Sequence, residues 1–158
     1  MEFWVSEITN YFASMIALNF PEPMFKTRYH DNKPQIFDEI RLKWVVLQPE
    51  EWVRQNFISW LTNINLIPSG LISIEKTISL GSLSKRFDLL IYDKIHQPWM
   101  MVECKAQGVE LTESTLRQIL LYNMVVPVKY IVITNGHLCY VADRIKEEWL
   151  FTFPTFPS

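Results

Sequence analysis

Asp88, Glu103 and Lys105 stand out because each places a charge in a run of otherwise apolar, strand-forming residues. Asp88 lies within Phe87-Asp88-Leu89-Leu90-Ile91, and Glu103 and Lys105 close the run Trp99-Met100-Met101-Val102-Glu103-Cys104-Lys105. A charge in an apolar strand is costly unless it is paired or binds a metal. On a strand, a spacing of two puts Glu103 and Lys105 on one face. Two carboxylates on consecutive strands with a lysine beside them form a hard-oxygen site suited to Mg²⁺ or Mn²⁺. A divalent ion held there would activate water and act as a Lewis acid. A lysine ammonium adds preorganised positive potential where charge develops. Acid-x-Lys alone is a common surface pair, expected on the order of once by chance in a chain of this size. The weight therefore rests on the short turn that joins the two strands.

The elements that must position these residues follow from patterning. Residues 1–19 carry helical spacing at Trp4, Ile8, Tyr11/Phe12 and Met15, which predicts an amphipathic helix ended by Pro21 and Pro23. Residues 24–48 read as an extended, hairpin-like region turning at His30-Asp31-Asn32-Lys33-Pro34. Pro49 opens a helix with Glu50 and Glu51 in its first turn and an apolar stripe at Val53, Phe57, Trp60/Leu61 and Ile64. Strands are expected at Leu71–Leu80, Arg86–Tyr92 and Trp99–Lys105. Thr112 caps a second helix running to about Val125. Tyr130–Thr134 is a buried strand, Asn135-Gly136 is a hairpin signal, and Leu138–Ala142 is the return strand. Trp149–Phe153 adds a last strand, and the tail Pro154–Ser158 is expected to fray. The helix between the third and fourth of these strands is a crossover, which favours a parallel pair there. The expected class is α/β (α+β): a mixed central sheet flanked by helices, in the order α-β-β-β-α-β. Residues 1–23 form a helical extension, and 24–158 form one domain.

The 158 residues are one domain's worth, and 49% apolar against 20% charged residues argues against disorder. Four glycines, none closely spaced, exclude a dinucleotide fingerprint or a phosphate-binding loop, and so a nucleotide-driven motor. The net charge of −2 argues against a surface coated in non-specific nucleic-acid-binding charge. Residues 1–25, however, hold three Glu and no Lys or Arg, leaving 15 basic against 14 acidic residues beyond them. Cys104 and Cys139 read as buried free thiols of a reducing, cytoplasmic setting. No secretory leader or membrane-spanning run is expected.

Arg86-Phe87-Asp88 followed by Val102-Glu103-Cys104-Lys105 resembles the core of the PD-(D/E)XK nuclease superfamily. Gln118 and Tyr122, at i and i+4 on the second helix, resemble the Gln-x-x-x-Tyr motif of type I restriction enzyme R-subunit N-terminal domains and RecB-like nucleases. Pro49-Glu50-Glu51-Trp52-Val53-Arg54-Gln55, Phe37-Asp38-Glu39-Ile40-Arg41 and Val132-Ile133-Thr134-Asn135-Gly136 are similar to segments of the R-subunit group. The resemblance covers roughly residues 24–150. It implies a restriction-endonuclease-like fold and Mg²⁺- or Mn²⁺-dependent hydrolysis of DNA. Asp88 and Glu103 would bind the ion with the backbone carbonyl of Cys104, and Lys105 would position the attacking water. Glu51, in preference to Glu50, would complete the metal site. Gln118 and Tyr122 would support the site or touch the phosphate backbone, and Arg86 would brace the strand acid or meet phosphate. No helicase motor follows here, so the chain reads as a stand-alone domain acting alone, as a homodimer, or with a separately encoded motor or specificity subunit.

Arg54, Lys85, Arg86 and Arg117 could form a phosphate-contacting rim, with ordinary solvated charge the even alternative. The three histidines are scattered without zinc-ligand spacing, no nucleophile elbow exists, and the six tryptophans read as core or interface. The alternatives to a nuclease are a nucleic-acid-binding module without cleavage and an interaction protein that docks through residues 1–19.

Overall fold

A computed structural model describes residues 15–22, 24–123 and 126–157, except the side chains of Leu80, Leu83 and Tyr122. A short strand, β1 (Ile16–Ala17), is followed by β2 (Thr27–His30), β3 (Lys33–Asp38) and β4 (Lys43–Val46). Helix α1 (Pro49–Asn63) leads into β5 (Ile72–Leu80), β6 (Leu83–Tyr92) and β7 (Pro98–Cys104). Helix α2 (Glu113–Asn123), β8 (Tyr130–Thr134), β9 (Leu138–Asp143) and β10 (Glu148–Leu150) complete the order.

Among the described residues, seven strands form one mixed sheet in the order β1-β9-β8-β7-β6-β5, with β10 also on β9. β7 and β8 pair in parallel, from Met100 opposite Tyr130 to Cys104 opposite Thr134. The expected crossover through α2 is thus observed. Strand alternation sends neighbouring side chains to opposite faces. Met100, Val102 and Cys104 pack with Val53, Phe57 and Leu61 of α1. Met101, Ile131 and Ile133 pack with Leu116 and Leu120 of α2. The domain is therefore a three-layer α/β/α arrangement with an apolar core on each side of the sheet.

Several expectations are corrected. Residues 1–14 of the expected N-terminal helix lie outside the described residues, and Ile16–Ala17 are extended and pair with β9. Ile64 is the C-cap of α1 and is exposed rather than part of its buried stripe. The tail does not fray over its described part: the Phe156 ring sits 5.3 Å from that of Trp99, and just before it Phe153, beyond the shorter last strand Glu148–Leu150, sits 4.8 Å from Trp60. Large aromatic rings gain enough from burial to hold such a segment down. The extended region at 24–48 is a separate three-stranded antiparallel sheet, β2-β3-β4. Its first turn is Asp31-Asn32, at φ 49° and 57°, the two-residue left-handed geometry that matches strand twist.

Candidate active site

The ladder between β6 and β7 ends at Leu89 opposite Val102. Just beyond it, the carboxylate of Asp88 replaces a backbone acceptor: the Cys104 amide donates to Asp88 Oδ2 at 2.7 Å. Side-chain alternation also breaks here, since Phe87 packs on the α2 side while Leu89 packs on the α1 side. On β5, Glu75 at this point takes φ 52°, a left-handed conformation strained for a side chain of its size. Asp88 is thereby set at a place where the sheet is locally opened.

Asp88 Oδ1 accepts from Arg54 Nη2 at 2.8 Å. Arg54 Nη1 donates to Glu51 Oε2 at 2.5 Å, and its side chain is only 5% exposed. A second guanidinium, Arg41, reaches Asp38 Oδ2 at 2.6 Å, Glu75 Oε2 at 2.8 Å and Glu51 Oε1 at 3.2 Å. Gln55 Nε2 donates to both Asp38 and Glu51. The fully buried Asp38 also accepts the amides of Ile40 and Arg41. Two arginines and four carboxylates thus tie β3, α1, β5 and β6 together. Burial works to lower the Arg54 pKa, but the Asp88 and Glu51 carboxylates more than offset it and hold the guanidinium above its ordinary value.

Glu103 and Lys105 share a face as their spacing requires, with Lys105 Nζ donating to Glu103 Oε1 at 2.9 Å. Burial, and then the charge of Asp88, raise the Glu103 pKa. Burial pulls Lys105 down, but its hydrogen bond to Glu103 and the charges of Glu103, Glu50 and Asp88 hold it above its ordinary value. Lys105 is therefore a firm cation at neutral pH, suited to stabilising charge rather than to taking a proton. Glu103 and Lys105 line a cleft of about 320 Å³ with Thr115, Gln118, Ile119 and Asn123. Gln118 is thus at the cleft as expected, whereas the side chain of Tyr122 lies outside the described residues.

The first-helix acids divide differently from the expectation. Glu51 is turned to Arg41, Arg54 and Gln55, so its oxygens are already engaged. Glu50 is the half-exposed one, and burial followed by the charge of Asp88 raises its pKa. Its charge also acts on Glu103 and Lys105. One residue of helix turns a side chain by about 100°, so Glu51 is enclosed by Arg41, Arg54 and Gln55 while Glu50 stays half-exposed with Oε1 3.6 Å from Arg54 Nη2.

The other basic residues are also redistributed. Arg54 is buried between carboxylates and does not present itself to a nucleic acid. Lys85 is buried too, with Nζ 3.0 Å from Asn123 Oδ1, and burial lowers its pKa to about 8 despite the charge of Glu103. Arg86 braces Glu75, at 2.9 Å, rather than Asp88. Arg117 pairs with Glu113 one helical turn away at 3.3 Å, on the outer side of α2. Arg41 and Glu75 were not among the expected site residues. Arg41 had a signal in the Phe37–Arg41 segment, and Glu75 had none beyond the polar face of its strand.

Glu50, Asp88 and Glu103 offer hard oxygens, and two of the three are raised in pKa by burial and mutual repulsion. In chemical kind they fit a divalent cation. Among the described residues no three His, Cys, Asp or Glu groups stand close enough together to hold one ion. The site is therefore not preassembled, with Asp88 Oδ1 engaged by Arg54. The Cys104 thiol is held well above its ordinary range by burial, then by Asp88, and stays neutral.

Residues 49–156 match the family described as type I restriction enzyme R protein N terminus (HSDR_N). The chain belongs to that family. The match begins at the first residue of α1 and takes in Asp88, Glu103 and Lys105. A crystal structure of a candidate nuclease belonging to DUF820 from Anabaena variabilis is similar at a TM-score of 0.45 and 10% identity. That similarity covers 84% of this chain and 78% of the other. No curated protein matches the chain. Among the described residues of this family member, no helix is long and apolar enough to cross a membrane.

Proposed function

We propose that this domain hydrolyses DNA phosphodiester bonds with a bound Mg²⁺ or Mn²⁺ ion, in the manner of a PD-(D/E)XK nuclease. The observation that carries the reading is the meeting of Asp88, Glu103 and Lys105 where β6 and β7 part, with Glu50 added from the first turn of α1. Membership of a restriction-enzyme family supports DNA as the substrate and a separately encoded motor or specificity subunit as a partner.

Glu50, Asp88 and Glu103 would hold the ion, which supplies Lewis acidity toward the phosphoryl group and a nucleophile at neutral pH. Lys105, kept protonated by the surrounding carboxylates, places positive charge where the phosphoryl oxygens gain negative charge. Glu103 fixes the ammonium through its 2.9 Å hydrogen bond. The Cys104 amide orients Asp88, and Gln118 offers an amide to the cleft where a phosphate oxygen would lie.

The engagement of Asp88 Oδ1 by Arg54 favours one second reading, a DNA-binding module of the same fold that does not cut by itself. The deciding experiment is cleavage of supercoiled, linear and single-stranded DNA with Mg²⁺ or Mn²⁺, set against Asp88→Ala and Lys105→Ala. Metal-dependent cutting lost in both variants supports the nuclease. Folded protein that binds DNA in both metals without cutting supports the second reading.

A further inference from the structure

The small sheet β2-β3-β4 has two unlike faces. On one, Ile36 and Asp38 are fully buried against the domain. On the other, cross-strand register aligns Arg28 with Gln35 and Val46, His30 with Lys33, and Phe37 with Trp44. Side chains alternate along a strand, so these residues share the outward face. The Arg28 guanidinium lies 4.3 Å from the Trp44 ring, and Lys26 lies 5.3 Å from that of Phe37. Arg28, His30 and Lys33 are exposed. None of the outward residues within these strands is acidic. The nearest carboxylates, Asp31 and Glu39, stand in the turns beside His30 and Lys26.

Arg28 and Lys33 put exposed positive charge on this face with no carboxylate directly opposite either of them in the strand register. It matches a polyanion. Two-stranded ribbons and small sheets are stiff enough to track a duplex backbone, and ring-stacked guanidinium groups are held in place with less entropy to lose. The six residues of β3 extend for about 17–20 Å, or about five base pairs at 3.4 Å each. The sheet is also fixed to the candidate site. Arg41, from the turn between β3 and β4, bonds Glu51 and Glu75, and the same cluster holds Asp88.

We propose that the outward face of β2-β3-β4, centred on Arg28 over the Trp44 ring and on Lys33, is the surface that docks the DNA backbone beside the cleft. The proposal rests on DNA being the substrate. It also explains how a chain with Arg54 and Lys85 buried retains a basic face.

The test measures binding of the full chain to a short fluorescent duplex by anisotropy, across a salt series, with Ca²⁺ in place of Mg²⁺. Arg28→Gln with Lys33→Gln should weaken binding about tenfold near physiological salt and reduce the salt slope by about two, as two lost phosphate contacts require. Lys94→Gln with Lys146→Gln removes the same charge from turns at the opposite end of the sheet and should leave the slope unchanged. Arg28→Lys with Lys33→Arg keeps the charge and should bind as the unaltered chain does. Equal unfolding midpoints for all variants exclude a folding defect, since Arg28 and Lys33 are exposed. Equal affinity and slope for the two glutamine pairs would overturn the proposal, as would an unaltered chain with no affinity for duplex. Cleavage is assayed in parallel: an unaltered chain that cuts while the two glutamine pairs bind alike removes only this surface, whereas an unaltered chain that neither binds nor cuts removes the nuclease reading too.

Discussion

Arg54 Nη2 lies 2.8 Å from Asp88 Oδ1, joining the second turn of α1 to the point on β6 where its ladder with β7 ends. The same guanidinium grips Glu51 through Nη1. One buried cation therefore fixes both the helix acid and the strand acid, so packing of α1 on the sheet and orientation of Asp88 are a single event.

Replacing Arg54 by Met should destabilise the fold by about 3–5 kcal/mol, because it leaves Glu51 and Asp88 without their shared buried partner. Urea unfolding at neutral pH measures this. Arg54→Lys should recover only part of the loss, since one ammonium cannot reproduce the fork that meets two carboxylates. An Arg54→Met protein as stable as the parent would show that the clamp contributes nothing net.

Adjacent acids on α1 should separate cleanly by readout. Glu50→Gln should weaken Mg²⁺ binding about tenfold by calorimetry, as loss of one charged ligand lowers cation affinity. Its unfolding midpoint without metal should be equal or higher, because the Glu50 carboxylate is held at a raised pKa by burial and by Asp88. Glu51→Gln should instead cost about 1–3 kcal/mol of stability through its bonds to Arg41 and Arg54. The opposite pattern would return the metal role to Glu51.

Lys85 should make stability rise with pH in the alkaline range. Burial lowers its folded pKa from 10.5 to about 8. Below pH 8 both folded and unfolded chains carry the proton, and the penalty of the buried charge is present in full. Between about 8 and 10.5 the folded protein sheds the proton that the unfolded chain still holds, so folding is progressively favoured. Lys85→Met should therefore be more stable than the parent at pH 7, with the difference shrinking by pH 10. Parallel urea titrations at the two pH values check this, and a difference that stays constant would remove the buried-charge explanation.

Gly136 should not tolerate alanine. Its φ is +87°, and an added Cβ would lie 3.2 Å from Val53 Cγ2 of α1. Gly136→Ala should cost about 1–3 kcal/mol in thermal or urea unfolding, and Val53→Ala in the same chain should relieve the steric part. A neutral Gly136→Ala would mean that the turn relaxes freely.

Strands β5 to β9, both described helices and the parallel crossover were legible in the sequence, because alternation and helical periodicity are local properties of consecutive residues; β1, in a segment of helical spacing, was not. The sequence also determined that Asp88, Glu103 and Lys105 meet, since a short turn and a spacing of two leave the strands little choice. Tertiary structure decided which way the charges on α1 face. Glu50 and Glu51 are equivalent in type and differ only in rotation about the helix, and Arg41, which bonds Glu51, comes from outside the helix and also reaches Glu75, 34 residues further on. It also decided that Arg54 and Lys85 are interior rather than on a phosphate-facing rim, because a long basic side chain can snorkel outward or fold inward depending on what opposes it. The C-terminal aromatics behaved likewise: nothing in the local sequence announces order there, and Phe57 with Trp60, and Trp99, give Phe153 and Phe156 their places to pack.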